Sequence, residues 1–224
     1  MNDQLLIEQV YRKIYENKSV LIPRRNREER QKNYHIALQK QIQQYIKDGG
    51  KGNLDLRNTP ITSLPEGLKV GRNLYLNRTP ITSLPKGLTV AGYLDLYETP
   101  ISSLPEGLIV GGNLDLARTP ITSLPEGLKI GGNLILDETP ITSLPEGLKI
   151  GGHLKLYNTP ITCLPKDLTV GGDIDLRYSK IESLPKEFNT GKTLILSYTK
   201  FANYTKEEVQ TMIPHFKGYI QMFI

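Results

Sequence analysis

The chain repeats itself every twenty residues over most of its length. Gly52-Asn-Leu-Asp-Leu-Arg-Asn-Thr-Pro-Ile-Thr-Ser-Leu-Pro-Glu-Gly-Leu-Lys-Val70 returns from Asn73, Tyr93, Asn113, Asn133 and His153, and more loosely from Asp173 and Thr193. Eight copies of so short a unit restrict the chain to a solenoid, because a unit this small cannot bury its own apolar face and must stack on its neighbours. Within one unit, Leu54 and Leu56 alternate and point to one face of a short strand, while Asn53, Asp55 and Arg57 point to the other. Pro60 has no N–H to give to a ladder and marks a corner. Ile61 and Leu64 return inward, Pro65-Glu66-Gly67 makes a second bend, and Leu68 and Val70 complete six inward side chains per turn.

The pattern Leu54-x-Leu56-x-x-Thr59-x-Ile61-x-x-Leu64-Pro65 resembles the leucine-rich repeat, in the short Leu-Pro form of bacterial effector proteins, and is similar also to repeats of phage and large-virus proteins. The resemblance implies an α/β repeat solenoid with a short parallel β-sheet, here of eight or nine strands. The raw ends of such a stack call for caps, read here as an N-terminal two-helix cap, which the effector-type family also has, and a C-terminal helix-strand cap. Two columns depart from the family. Its turn asparagine is Thr at 59, 79, 99, 119, 139, 159 and 199 and Ser at 179, so a hydroxyl ladder is expected to serve the turn backbone. Its first strand leucine is Gly at 71, 111, 131, 151 and 171.

Three segments follow: residues 1–48 as the N-terminal helical cap, 49–200 as the solenoid and 201–224 as the C-terminal cap. Asp3 caps a helix carrying Leu6, Val10 and Ile14. Val20 to Pro23 is an extended link, and Asn26 with Glu29 starts a second helix with Tyr34, Leu38, Ile42, Tyr45 and Ile46 on one side, ended by Gly49-Gly50. At the other end Thr205 and Glu208 form a capping box, Tyr204 and Val209 a hydrophobic staple, and Pro214 a stop. Gly218-Tyr-Ile-Gln-Met222 echoes Gly52 to Leu56, which predicts a ninth strand over about 219–223. Phe188, Phe201, Phe216 and Phe223 gather in this closing region as bulk for the last open face. The alternative is that Met222 to Ile224 form an exposed partner motif.

Function has to lie where the copies differ. The inward and turn positions barely change, whereas the outward columns vary freely: Asp55, Tyr75, Asp95, Asp115, Ile135, Lys155, Asp175, Ile195 in one; Arg57, Asn77, Tyr97, Ala117, Asp137, Tyr157, Arg177, Ser197 in the next; and Asn58, Arg78, Glu98, Arg118, Glu138, Asn158, Tyr178, Tyr198 in a third. Tyr and Arg anchor protein interfaces, so the candidate binding residues are Tyr75, Tyr93, Asp95, Tyr97, Asp115, Arg118, Ile135, Lys155, Tyr157, Asp175, Arg177, Tyr178 and Tyr198. The competing reading is a solvated strand face that drifts freely, with Tyr present because it suits strands. Eight rungs give a face roughly 35–40 Å long, enough for a standard interface.

Charge narrows the partner to a protein. The chain carries a formal +5, but the outward columns hold more acids than bases, and such a face does not attract a phosphate backbone. The surplus of positive charge lies in the N-terminal segment around Arg24-Arg25-Asn-Arg27, where a nucleic-acid or anionic-lipid contact is the lesser reading beside a solvated cap surface. Asp95 and Asp115 on neighbouring rungs repel unless Arg118 or a cation relieves them. The single Cys163 and three His argue against a disulfide framework or a histidine metal cluster. No apolar run is long enough to span a membrane, and Asp3 and Glu8 do not suit a secretory leader.

The expected protein is thus a non-catalytic protein-binding module, without cofactor or small-molecule substrate, kept in a cytoplasm. Its resemblance implies a phage or virus accessory protein that targets a host factor in the host cytoplasm, with a translocated bacterial effector scaffold or a self-associating structural protein as alternatives.

Overall fold

The alternation of Leu54 and Leu56, repeated with a constant period, places every rung of one strand beside the same residues of the next. In the computed structural model, which describes residues 24–187 and 192–223, this produces a parallel β-solenoid. Nine strands form the first sheet: Leu54–Asp55, Leu74–Tyr75, Leu94–Asp95, Leu114–Asp115, Leu134–Ile135, Leu154–Lys155, Ile174–Asp175, Thr193–Ile195 and Tyr219–Gln221. The register is a step of twenty, Leu74 opposite Leu94 and Asp95 opposite Asp115, until the last pair, where Leu194 faces Ile220. The ninth strand is therefore present, over 219–221.

A second parallel sheet was not expected. Its six strands are Lys69–Val70, Thr89–Val90, Ile109–Val110, Lys129–Ile130, Lys149–Ile150 and Thr169–Val170. Leu68 and Val70 point inward and Lys69 outward, which is strand alternation in miniature, too short to read as a strand in one copy and made regular by stacking. Among the described residues the Ile61 and Leu64 side of the turn forms no strand, although Cys163 bridges Ser183 in parallel. Among the described residues no α-helix lies between Leu54 and Ile195, so the repeats form a β-solenoid.

The core is the interior column of Leu54, Leu56, Ile61, Leu64, Leu68 and Val70 with their equivalents, buried in every turn through Val170, and Leu184 in the next turn is half-buried. Two corners explain departures in the sequence. The residue after the first strand's outward side takes a left-handed backbone at every rung, with φ between 52° and 60° from Asn58 through Tyr198. Side chains rarely accept that conformation, so the stacking described below has to offset it. At the other corner Gly111, Gly131, Gly151 and Gly171 lie directly on one another. A Cβ on Gly131 would overlap the carbonyl oxygen of Gly111, and this close approach excludes a leucine there.

The turn hydroxyls act within their own rung and not as a ladder. Thr59, Thr79, Thr99, Thr119, Thr139, Thr159 and Thr199 each donate to the carbonyl three residues back, from 2.6 Å in Thr59 to Leu56 to 2.9 Å in Thr159 to Leu156. An Asn-type ladder exists elsewhere: Asn73 Oδ1 accepts from Tyr93 N at 2.9 Å, Asn113 from Asn133 N at 2.8 Å, Asn133 from His153 N at 2.8 Å, and His153 Nδ1 from Asp173 N at 2.9 Å.

Outside the repeats, a helix, α1 (Arg24–Lys47), starts two residues before the expected Asn26. It ends as expected, with Gly49 and Gly50 at φ 81° and 64°. Tyr45 Oη donates to Gly50 O at 2.5 Å and accepts from Gly71 N at 3.3 Å, which ties this helix end to the first rungs. The chain divides into two compact units, Met1–Gln39 and Lys40–Ile224. The expected helix around Leu6 to Ile14, the link at Val20 to Pro23 and Phe188 lie outside the described residues. A second helix, α2 (Lys206–Met212), has the capping box of Thr205 and Glu208, with Val209 buried. Phe201 and Phe216 are buried, whereas Phe223 is exposed and plugs nothing. Tyr204 is exposed too, its ring 6.0 Å from that of Phe201. No helix among the described residues is long and apolar enough to cross a membrane.

Candidate protein-docking face

The period brings the thirteen candidate residues to one side of the nine-stranded sheet, in four adjoining columns. Tyr75, Asp95, Asp115, Ile135, Lys155 and Asp175 alternate with the buried leucines on the strands. Tyr93 precedes its strand, Tyr97, Tyr157 and Arg177 follow theirs, and Arg118, Tyr178 and Tyr198 occupy the left-handed corner. Stacking at the rung spacing makes neighbours of residues twenty apart, and many of these side chains satisfy each other.

The aspartates of the strand column have a local duty. Oδ1 of Asp95, Asp115 and Asp175 accepts from the backbone N–H two residues on, at 3.1, 2.9 and 3.1 Å, and Asp137 Oδ1 accepts from Tyr157 N on the next rung at 2.9 Å. Arg177 clasps Asp175 at 2.6 Å, and Arg57 clasps Asp55 at 2.5 Å. These pairs are two residues apart on one strand, so they form within a single rung.

The corner column carries an alternating ladder. Arg78 lies 2.7 Å from Glu98, Glu98 3.1 Å from Arg118, and Arg118 3.2 Å from Glu138. Arg118 therefore does not relieve Asp95 and Asp115, because its corner position directs it along its own column. The Arg78 guanidinium beside Glu98 pulls that carboxyl down to about 2. Asp95 and Asp137 shift the other way, upward, through burial first and then through neighbouring carboxylates, Asp115 for one and Asp175 and Asp115 for the other. Burial and the same Asp115 and Asp95 push the Tyr93 phenol up, and its hydroxyl donates to Asp115 Oδ2 at 3.1 Å.

Aromatic rings end the face. Tyr178 and Tyr198 stack at 4.5 Å and 12°, and Tyr157 meets Tyr178 edge-on at 5.3 Å. Tyr178 is 46% exposed, Tyr198 49% and Phe223 58%. Phe223 is absent from the candidate residues, yet the echo of Gly52 to Leu56 in Gly218 to Met222 already puts it in the column of Arg57. There its N–H donates to Ser197 Oγ at 3.0 Å. Guanidinium groups lie over rings along the same face: Arg57 over Tyr75 at 4.9 Å, Arg78 and Arg118 over Tyr97 at 5.6 and 5.7 Å, and Arg177 over Tyr157 at 5.8 Å.

Among the described residues no group of three metal-binding side chains comes together. No family model and no curated protein matches the chain.

Proposed function

We propose that this chain is a protein-binding module, a capped solenoid of the short leucine-rich type, whose partner docks on the outward side of the nine-stranded sheet and anchors at its C-terminal end. The observation that carries this reading is the aromatic surface of Tyr157, Tyr178, Tyr198 and Phe223, joined by Arg177 over Tyr157. Large exposed rings on a polar scaffold gain little in water and much when covered, and Tyr and Arg are the residues that dominate interface energies. Rigid rings held by stacking also lose little entropy on docking.

The reading assigns no chemistry to the chain. Its resemblance to phage and large-virus repeats supports an accessory role, in which the module sequesters or redirects a host protein in the cytoplasm. The test is affinity capture from candidate host lysate with the wild type and with Tyr178→Asn/Tyr198→Asn/Phe223→Ser. Asparagine suits the left-handed corner, so the variant keeps the fold. The captured protein should be lost with the variant; undiminished capture overturns the site. Self-association is the second reading, favoured by the open strand Tyr219–Gln221 at the end of the sheet. Light scattering behind size exclusion separates the two, since a strict monomer excludes self-association.

A further inference from the structure

The docking face has one unbalanced feature, which bears on what its partner must carry. Of its aspartates, Asp55 and Asp175 hold arginines, and the corner arginines Arg78 and Arg118 are taken by Glu98 and Glu138. Asp95, Asp115 and Asp137, in the middle of the sheet, have no ion pair among the described residues. Asp95 and Asp115 stand directly opposite each other on paired strands, about 4.8 Å apart along the solenoid, an arrangement that like charges resist. Backbone N–H groups of Tyr97, Ala117 and Tyr157 hold one oxygen of each carboxylate in place. The second oxygens of Asp95 and Asp137 accept no hydrogen bond among the described residues, so two oriented acceptors remain open.

We infer, resting on the docking face proposed above, that the partner presents an extended basic segment, whose arginine or lysine side chains lie on Asp95, Asp115 and Asp137 while its apolar residues cover Tyr157, Tyr198 and Phe223. Charge complementarity selects this occupant. A cation placed between Asp95 and Asp115 removes their repulsion. The rings of Tyr75, Tyr97 and Tyr157 already carry the chain's own guanidinium groups, so the carboxylates are what an incoming cation meets. The protein as a whole is +5, so a basic segment gains nothing from net charge and is attracted only locally. A bare metal ion fits less well: no third metal-binding side chain joins any two among the described residues, and calcium takes six to eight oxygens.

The experiment titrates the full chain into a fluorescein-labelled octapeptide of alternating arginine and glycine, followed by anisotropy. Its citrulline counterpart keeps the shape and removes the charge. The arginine peptide should bind, and both the citrulline peptide and the variant Asp95→Asn/Asp137→Asn should weaken binding by about tenfold or more. Asparagine preserves the Oδ1 acceptor, so thermal melting of the variant should match or exceed the wild type. Glu66→Gln/Glu106→Gln, with the same change in charge at a corner away from the face, should bind as the wild type does. No binding of the arginine peptide, equal weakening in both variants, or saturable calcium binding that the Asp variant abolishes would each overturn the inference. If the peptide fails while Tyr178→Asn/Tyr198→Asn/Phe223→Ser still loses a captured protein, the basic segment is wrong and the docking face stands.

Discussion

Arg118 donates to Glu98 across one rung at 3.1 Å, and its other amino group reaches Glu138 on the opposite side at 3.2 Å. The corner column is thus held by alternating charge, with Arg78 at its lower end. Arg118→Glu sets three carboxylates in a row and should lower the melting temperature, by less in 1 M salt than in dilute buffer, because exposed pairs are screened. The Glu98 carboxyl has a pKa lowered from 4.5 to about 2 by Arg78 and its neighbours. A depressed carboxyl stabilises the fold above its unfolded value and loses that contribution as pH falls through about 2. An NMR titration should find Glu98 still ionised at pH 3, and a midpoint near 4.5 would show that the ladder does not form in solution.

Asp95 and Asp137 titrate in the opposite sense. Their pKa values are raised by burial and adjacent carboxylates, so the folded state binds their protons more readily than the unfolded chain. Stability linked to them is full below the unfolded value and lost as pH rises through the folded one. Asp137→Asn should therefore melt higher than the wild type at pH 7, with the gain vanishing at pH 3. A lower melting temperature at pH 7 would mean that the carboxylate is paired after all.

The stacked glycines leave no room for a methyl group. Gly131→Ala should cost about 1–3 kcal/mol, the usual range for overpacking, measured by urea unfolding, because the added Cβ meets the Gly111 carbonyl. The same substitution at Gly107, where nothing lies within 4 Å of the added carbon, pays only for its left-handed backbone. Equal losses at both sites would contradict the close approach.

Thr139 donates to Leu136 O at 2.7 Å from a buried hydroxyl, and Thr139→Val should cost about 1 kcal/mol, the value of one net hydrogen bond. Ser179 is the exception in this column, for its Oγ is buried with no partner. Ser179→Ala should be neutral or stabilising, and Ser179→Thr should raise the melting temperature if the added methyl turns the hydroxyl toward Leu176 O. Destabilisation by Ser179→Ala would imply a partner for the serine.

The rungs were legible because inward residues recur with two periods at once, two within a strand and twenty between copies. Leu54, Leu56, Ile61, Leu64, Leu68 and Val70 are all buried as their spacing implies, and the faint echo at Gly218 was enough to find the last strand. The capping box of Thr205 was readable from two residues. Less visible was the second sheet, whose strands span only two residues each. Phe223 was misjudged by its chemistry, since its register already placed it outward. The partners of Arg118 and the use of Thr59 were hidden for a common reason: both depend on the backbone direction at the corner, which no alternation within a strand records.

What the sequence by itself determined is the stack: equal turns of twenty residues must superpose, so identical positions meet, apolar ones inside and variable ones outside. Only the tertiary structure decided what the variable positions do to one another. At a rung spacing of about 4.8 Å a side chain feels its neighbours twenty residues away as strongly as those beside it in sequence. Whether a charge is spent internally, as in Arg118, or left open, as in Asp95, follows from which way its corner or strand aims it. That balance turns a varied surface into a face with an aromatic end and three unpaired carboxylates.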